Sequence, residues 1–196
     1  MRKLKIQMHM TIDGFVGRTD GGIDWVTFNW DEKLRLRALA NLDNVDCILI
    51  AMGRKSEMQF IPYWTSVAAN PQDHFFSLGK KLTGTSKIVL SNSLARSEWP
   101  DTAVINGNFI EEAAKLKKFK GSDIIVFGGA KFASSLIASR LVDEIHLLVN
   151  PVAIGDGLPI FRKVAGRLDM TLIEATRFDC GIVWLRYDCR GSVTAS

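Results

Sequence analysis

Cysteine, proline and histidine are scarce in this chain, and long apolar runs are missing. Its 196 residues include three cysteines, five prolines and three histidines. Cys47, Cys180 and Cys189 form an odd set with no CxxC and no Cys/His cluster, which argues against a disulfide framework and against a metal site. Cys47 opens an apolar run and reads as a small buried residue, so a reducing, cytoplasmic setting is the expected compartment. That run, Cys47 to Met52, is far short of the ~20 residues that cross a bilayer. The N-terminal residues 1–6 carry basic side chains with no apolar stretch behind them, so no signal peptide is expected. Charge of one sign is modest too. There are 25 basic against 21 acidic residues, a net charge of +4. The basic residues are scattered, and the single cluster, residues 115–120, reads as the solvated last turn of a helix, which gives nucleic-acid binding no support.

What is present is the composition of a packed domain. With 47% hydrophobic and 23% charged residues, a chain of this size buries roughly 70% of the surface its unfolded form exposes. Disorder is excluded on those numbers, and a single domain over residues 1–196 is expected. Residues 4–12 alternate and read as a strand, with Asp13-Gly14 and then residues 19–22 as turns. A helix is expected over 31–42, opened by Asp31, and a strand buried on both faces over 47–51. Pro62, Tyr63 and Trp64 read as a loop, and Pro71 as the first turn of a helix reaching about Leu82. Strands follow at 87–91 and 102–105, with a helix at 110–119. Residues 123–127, the turn 128–130, residues 131–140 and residues 144–149 spell strand, tight turn, helix, strand, a βαβ unit that predicts parallel pairing. Two last strands, 170–176 and 182–187, joined by residues 177–181, predict an antiparallel pair at a sheet edge. The fold class is α/β with a mostly parallel sheet flanked by helices.

Three turns after strands carry donor-rich or glycine-rich chemistry. Gly128-Gly129 joins a buried strand to a helix start, where backbone N–H groups and the helix dipole favour an anion and the lack of Cβ atoms lets a pyrophosphate approach. The pair does not match a full GxGxxG, and a plain strand-to-helix turn is the alternative. Gly53-Arg54-Lys55-Ser56 offers two cations and a hydroxyl, a set suited to a phosphate monoester, or else an ordinary exposed helix start. Ser91-Asn92-Ser93 repeats the theme with hydroxyl and amide groups. Together they point to one phosphate-bearing ligand along the carboxyl edge of a sheet, the usual site in open α/β folds.

At this point a resemblance enters. Residues 10–17 (MTIDGFVG), 50–56 (IAMGRKS) and 87–92 (KIVLSN) resemble successive motifs of the dihydrofolate reductase-like superfamily. Residues 125–130 (IVFGGA), 141–145 (LVDEI) and 151–161 (PVAIGDGLPIF) are similar to the C-terminal reductase domain of the bifunctional riboflavin-biosynthesis deaminase-reductase, RibD. The resemblance covers nearly the whole chain and implies a dihydrofolate reductase-like fold, a cytoplasmic oxidoreductase and the cofactor NADPH. Carried over, it gives the phosphates to Gly53, Arg54, Lys55 and Ser56, and the ribose and 2′-phosphate to Ser91 and Asn92. The pyrophosphate falls to Gly128, Gly129, Ala130, Lys131 and Phe132, and the nicotinamide to Met10, Thr11, Val16 and Gly17. It also implies a homodimer through the C-terminal strand pair and residues 151–161.

The departures bear on substrate. Dihydrofolate reductase proper carries an acidic residue on its first long helix, and Leu34-Arg35-Leu36-Arg37 has none at the matching position. The acidic stretch that RibD carries after its second strand is replaced here by GRKSEM at 53–58. Asp13 and Glu57 are the candidate catalytic carboxylates, with a turn cap and a surface residue as their respective alternatives. Trp25, Trp30, Phe60, Tyr63 and Trp64 suit the walls of a heterocycle pocket or a core. His9, His74 and His146 do not cluster with acids, and His146 reads as structural. The expected activity is hydride transfer from NADPH to a pterin-, pyrimidine- or flavin-like ring. Reduction of 5-amino-6-(5-phosphoribosylamino)uracil is one alternative, and a non-catalytic NADPH-binding sensor is another. The expected partners are a small heterocycle and a second copy of the chain, with no nucleic acid and no membrane.

Overall fold

Continuous apolar runs at 47–50 and 124–126 demand burial on both faces, and a parallel sheet covered by helices supplies it. The computed structural model describes residues 1–51, 54–97 and 99–190, and for residue 51 and residues 54–59 the backbone alone. Two compact units divide the chain: Met1–Arg2 with Trp30–Gly129, and Lys3–Asn29 with Ala130–Ser196.

The first unit holds four parallel strands in the order β4-β3-β2-β5. They are β2 (Val45–Ala51), β3 (Ser86–Leu90), β4 (Thr102–Ile105) and β5 (Asp123–Phe127). Ile48 faces Lys87 on one side and Ile125 on the other. Ile48, Leu49, Val89, Leu90, Ile124, Ile125 and Val126 are fully buried. The first helix, α1 (Glu32–Ala40), starts where expected because the Asp31 carboxylate accepts the N–H of Leu34 at 2.8 Å, and it buries Leu34 and Ala38. Lys87, itself buried, donates its ammonium to the carbonyls of Thr83 and Thr85.

The stretch between β2 and β3 departs from the sequence reading. Pro62, Tyr63 and Trp64 lie inside α2 (Arg54–Ala69). An interior proline costs a helix about 3 kcal/mol. The buried stripe Ile61, Trp64 and Val67, at helical spacing, offsets that cost. The next helix, α3 (Phe76–Gly84), begins after Pro71, because residues 70–75 are held in turns. There the Asn70 side chain accepts the N–H of Gln72 at 3.1 Å, and that of Asp73 accepts the N–H of Phe75 at 2.8 Å. Trp30 and Trp64 pack edge-on to Phe75 at 5.3 and 6.3 Å between ring centroids, so both belong to the core of this unit and neither overhangs a pocket. Phe60 stacks on Phe127 at the end of β5, and Tyr63 is exposed. The basic cluster closes α4 (Phe109–Lys118), as read, although Lys117 is buried.

The second unit has the order β1-β6-β8-β7: β1 (Leu4–Thr11), β6 (Glu144–Asn150), β8 (Val183–Asp188) and β7 (Thr171–Arg177). β1 and β6 are parallel, while β6–β8 and β8–β7 are antiparallel, which gives the expected C-terminal pair. A β-bulge falls between Leu172 and Glu174. The expected βαβ unit takes a different form. After β5 the chain forms α5 (Ala130–Ala138), but β6 pairs in parallel with β1, whereas β5 pairs with β2. Leu4, Ile6, Met8 and Met10 are buried on one face of β1, which gives the strand an apolar face beside β6.

Residues 11–18 and 151–159 are laced together by backbone bonds. Ile12 N–H donates to Val152, Val16 N–H to Leu158, and Leu158 N–H to Gly17. Gly157 sits so close that a Cβ there would lie 2.4 Å from the Gly17 carbonyl oxygen. Gly157→Ala is therefore expected to destabilise the protein by about 1–3 kcal/mol. A urea midpoint lowered at constant m-value checks this, and an unchanged midpoint contradicts it.

Candidate functional site

The carboxyl ends of the strands carry the residues that the sequence singled out. In the first unit, the turn after β2 is partly beyond reach: Gly53 lies outside the described residues, as do the side chains of Arg54, Lys55, Ser56 and Glu57. The turn after β3 is well defined. Ser91 is buried, and its hydroxyl accepts the N–H groups of Ser93 and Leu94 at 3.3 Å each. The exposed Asn92 side chain accepts the N–H of Gly107 at 2.7 Å, and Asn106 donates to the carbonyls of Ser91 and Leu94. Ser91 thus shapes the turn, and Asn92 stands at its surface.

After β5, Gly128 and Gly129 have φ of +73° and +72°, a left-handed conformation that side chains resist. A Cβ at Gly128 would meet nothing within 4 Å. The glycine there leaves open space in front of the backbone at the start of α5. A pair of left-handed residues leading into a helix N-terminus suits the oxygens of a pyrophosphate, so this cradle fits the diphosphate of a dinucleotide.

In the second unit, Thr11 is buried at the end of β1, and its hydroxyl bonds the Asp13 carboxylate while accepting the N–H of Phe15 at 3.0 Å. The other Asp13 oxygen accepts the N–H groups of Ile154 at 3.0 Å and Gly155 at 2.8 Å. The Thr11 hydroxyl, followed by those backbone donors, holds the Asp13 carboxyl below its ordinary range. Asp13 is an ionised clamp between residues 11–17 and 151–159. Val16 and Met10 are buried with Gly17 beside them. On α5, Phe132 is buried, Ala130 half-buried and Lys131 exposed.

Sequence reasoning passed over His9. The structure pairs its Nδ1 with the Asn150 side-chain nitrogen at 3.1 Å and sets its ring 5.9 Å from that of Phe28. Asn150 is 141 positions away, so the pair left no local trace; the sequence signal was a lone histidine among the apolar residues of β1. His146, read as structural, is buried with its Nε2 3.2 Å from Glu144. Burial pushes the Cys47 thiol up to about 11, as expected of an inert buried residue. Among the described residues no group of three or more His, Cys, Asp or Glu is placed to hold a metal ion, and no helix is long and apolar enough to cross a membrane.

A mostly parallel α/β architecture ending in an antiparallel strand pair, with glycine or polar turns at its strand ends, is the dihydrofolate reductase-like fold. Residues 2–184 match the model of the RibD C-terminal domain, and the chain belongs to that family, which is of reductase type. The uncharacterized protein YyaP of Bacillus subtilis is 32% identical over 194 residues, covering 97% of this chain and 96% of that protein. The deaminase/5-amino-6-(5-phosphoribosylamino)uracil reductase of Thermotoga maritima superposes with a TM-score of 0.65 at 14% identity. That match covers 96% of this chain and 56% of that one. Dihydrofolate reductase from Enterococcus faecalis, complexed with NADP(H), gives a TM-score of 0.57 at 13% identity, covering 96% and 97%.

Proposed function

We propose that this protein is an NADPH-dependent reductase that transfers hydride to a pterin-, pyrimidine- or flavin-like heterocycle. The observation that carries the reading is the left-handed Gly128-Gly129 turn, with open space before it, leading into α5. Bound there, NADPH supplies the hydride. The chain's own residues bind and orient: the Gly128–Phe132 backbone holds the pyrophosphate, while Arg54, Lys55, Ser56 and Asn92 receive the remaining phosphate and ribose groups. Thr11, Val16 and Gly17, kept in place by the Asp13 clamp, form the nicotinamide wall with Met10. Orientation of this kind is the protein's main contribution to hydride transfer. Asp13 acts on geometry by holding residues 11–17 to 151–159, and it and Glu57 are the candidate carboxylates for proton delivery.

Membership of the RibD C-terminal family favours the aminouracil of riboflavin biosynthesis as a specific substrate. Titration with NADPH and NADH, followed by loss of reduced-nicotinamide absorbance with candidate heterocycles, tests the reading. Binding of NADPH in preference to NADH with turnover of one ring is the expected result. Failure to bind NADPH overturns it, and tight binding without turnover of any ring favours a sensor. We also propose a homodimer, which a sedimentation measurement showing monomer at micromolar concentration would exclude.

A further inference from the structure

The amino ends of β2 and β3 meet the carboxyl end of α3 at an open cleft of about 350 Å³. That volume falls within the range of small-molecule sites. Its walls include Val45, Asp46, Lys80, Lys81, Thr85 and Ser86, all in the first unit. β2 runs seven residues, about 20 Å, before the turn proposed for the cofactor phosphates, so the cleft stands at the opposite edge of the sheet. The last turn of a helix ordinarily disfavours an anion, because its unpaired carbonyls carry partial negative charge. Here those carbonyls are occupied. Thr83 Oγ donates to the carbonyl of Gly79 at 2.8 Å. Thr85 donates to that of Lys81 through its N–H at 3.1 Å and its hydroxyl at 2.7 Å. The buried Lys87 ammonium donates to those of Thr83 and Thr85, which puts a cation behind the Thr85 wall. Asp46 is matched as well. One carboxylate oxygen pairs with the Arg2 guanidinium, and the other accepts the N–H of Ser122 at 2.8 Å. The ammonium groups of Lys80 and Lys81 and the hydroxyl of Ser86 have no partner among the described residues.

We propose that this cleft binds a phosphorylated sugar, with Lys80 and Lys81 on the phosphate and Asp46 and Ser86 on the sugar hydroxyls. The oxygens of a phosphate dianion accept and do not donate, and two free ammonium groups are charged donors that suit them. Arg2 offsets the charge of Asp46, so the carboxylate does not repel a phosphate held by the lysines. The Asp46 side chain is 44% exposed, and a carboxylate accepts about four hydrogen bonds. The bonds from Arg2 and Ser122 therefore leave lone pairs for hydroxyl donors, and Ser86 adds a group that both donates and accepts. Val45 is the one large apolar side chain on the walls and no aromatic ring lines them, so a nucleobase would find no surface to stack on. A bare sugar phosphate fits these walls better than a nucleotide. The inference stands on the cleft alone and does not use the reductase reading.

Titrations of the isotope-labelled full chain, without NADPH, test it through backbone amide shifts. Ribose 5-phosphate is expected to move the amides of Asp46, Lys80, Lys81 and Ser86 in a saturable way, with a Kd of about 1 mM or tighter. Ribose and inorganic phosphate should each bind there more weakly by about tenfold or more, and adenosine 5′-monophosphate no more tightly than ribose 5-phosphate. Replacing both lysines, Lys80→Gln with Lys81→Gln, should weaken ribose 5-phosphate by about tenfold or more. The melting temperature should stay unchanged, since neither ammonium has a partner to lose. Lys115→Gln, which removes a surface cation outside the cleft, should leave the affinity as it is. Full affinity in the double variant, or an equal loss in Lys115→Gln, overturns the proposal. Ribose or inorganic phosphate binding as tightly as ribose 5-phosphate, or the nucleotide binding more tightly, overturns the sugar phosphate as the ligand. Shifts confined to residues 128–132 would overturn the cleft and leave the reductase reading standing, so the two fail separately.

Discussion

Glu144→Gln is expected to lower the melting temperature by roughly 5–10 °C, a loss of about 2–3 kcal/mol in a chain of this size. Glu144 opens β6 and is 1% exposed. It accepts from Lys3 at 2.7 Å and from Arg186 at 3.0 and 3.2 Å, with His146 Nε2 at 3.2 Å. Burial by itself would raise its pKa. The bonds from His146, Arg186 and Lys3 more than offset burial and hold the carboxyl well below the carboxylate range. Glutamine keeps the shape but leaves two cations facing a neutral amide. The loss falls short of that for a fully enclosed pair because Lys3 and Arg186 are 37% and 29% exposed and recover some hydration. The pH dependence follows from the sign. A folded-state pKa below the unfolded value of about 4.3 gives stability that is complete above that value and fades as pH falls through the folded one. Thermal melts from neutral to acid pH should show the gap between wild type and variant narrowing on acidification. A constant gap would assign Glu144 a role in packing alone.

Gly128→Val should weaken NADPH binding by about 100-fold, equivalent to about 2.7 kcal/mol, while the protein stays folded. The two effects of the new side chain separate cleanly. In the free protein its Cβ meets nothing within 4 Å, so the stability cost is the left-handed φ of +73°, about 1–2 kcal/mol. In the complex it occupies the space before α5 that a diphosphate needs. Gly166→Val is the matched control. Gly166 has φ +68° and is equally open, so it carries the same strain in the loop between β6 and β7, with no assigned ligand. The result expected is a similar loss of thermal stability in both variants, with NADPH affinity reduced only in Gly128→Val. Equal affinities in the two variants would remove the Gly128 cradle from the site.

The sequence was most informative where structure depends on neighbours a few residues apart. Apolar runs at 47–51 and 123–127 gave β2 and β5, and Asp31 marked the start of α1 because a cap acts within one turn. The glycines at 128–129 marked the turn before α5 because no other residue adopts two left-handed conformations so readily. It failed at Pro62, where burial of Ile61, Trp64 and Val67 overrode a local breaker. For Trp30 and Trp64 it left pocket wall and core both open, because a place in the core around Phe75 is a property of three chain segments together.

The site divides along the same line. By itself the chain determined an α/β composition, the motifs at 10–17 and 125–161 and the left-handed glycine turn, all of which are written in contiguous residues. Only the tertiary structure decided that β6 pairs with β1, that Asp13 clamps Ile154 and Gly155, and that Asn150 faces His9. Each of those contacts spans about 140 residues. Periodicity and capping act over a single turn or pleat. A register set across most of the chain is selected by the burial of whole faces, which no local pattern encodes.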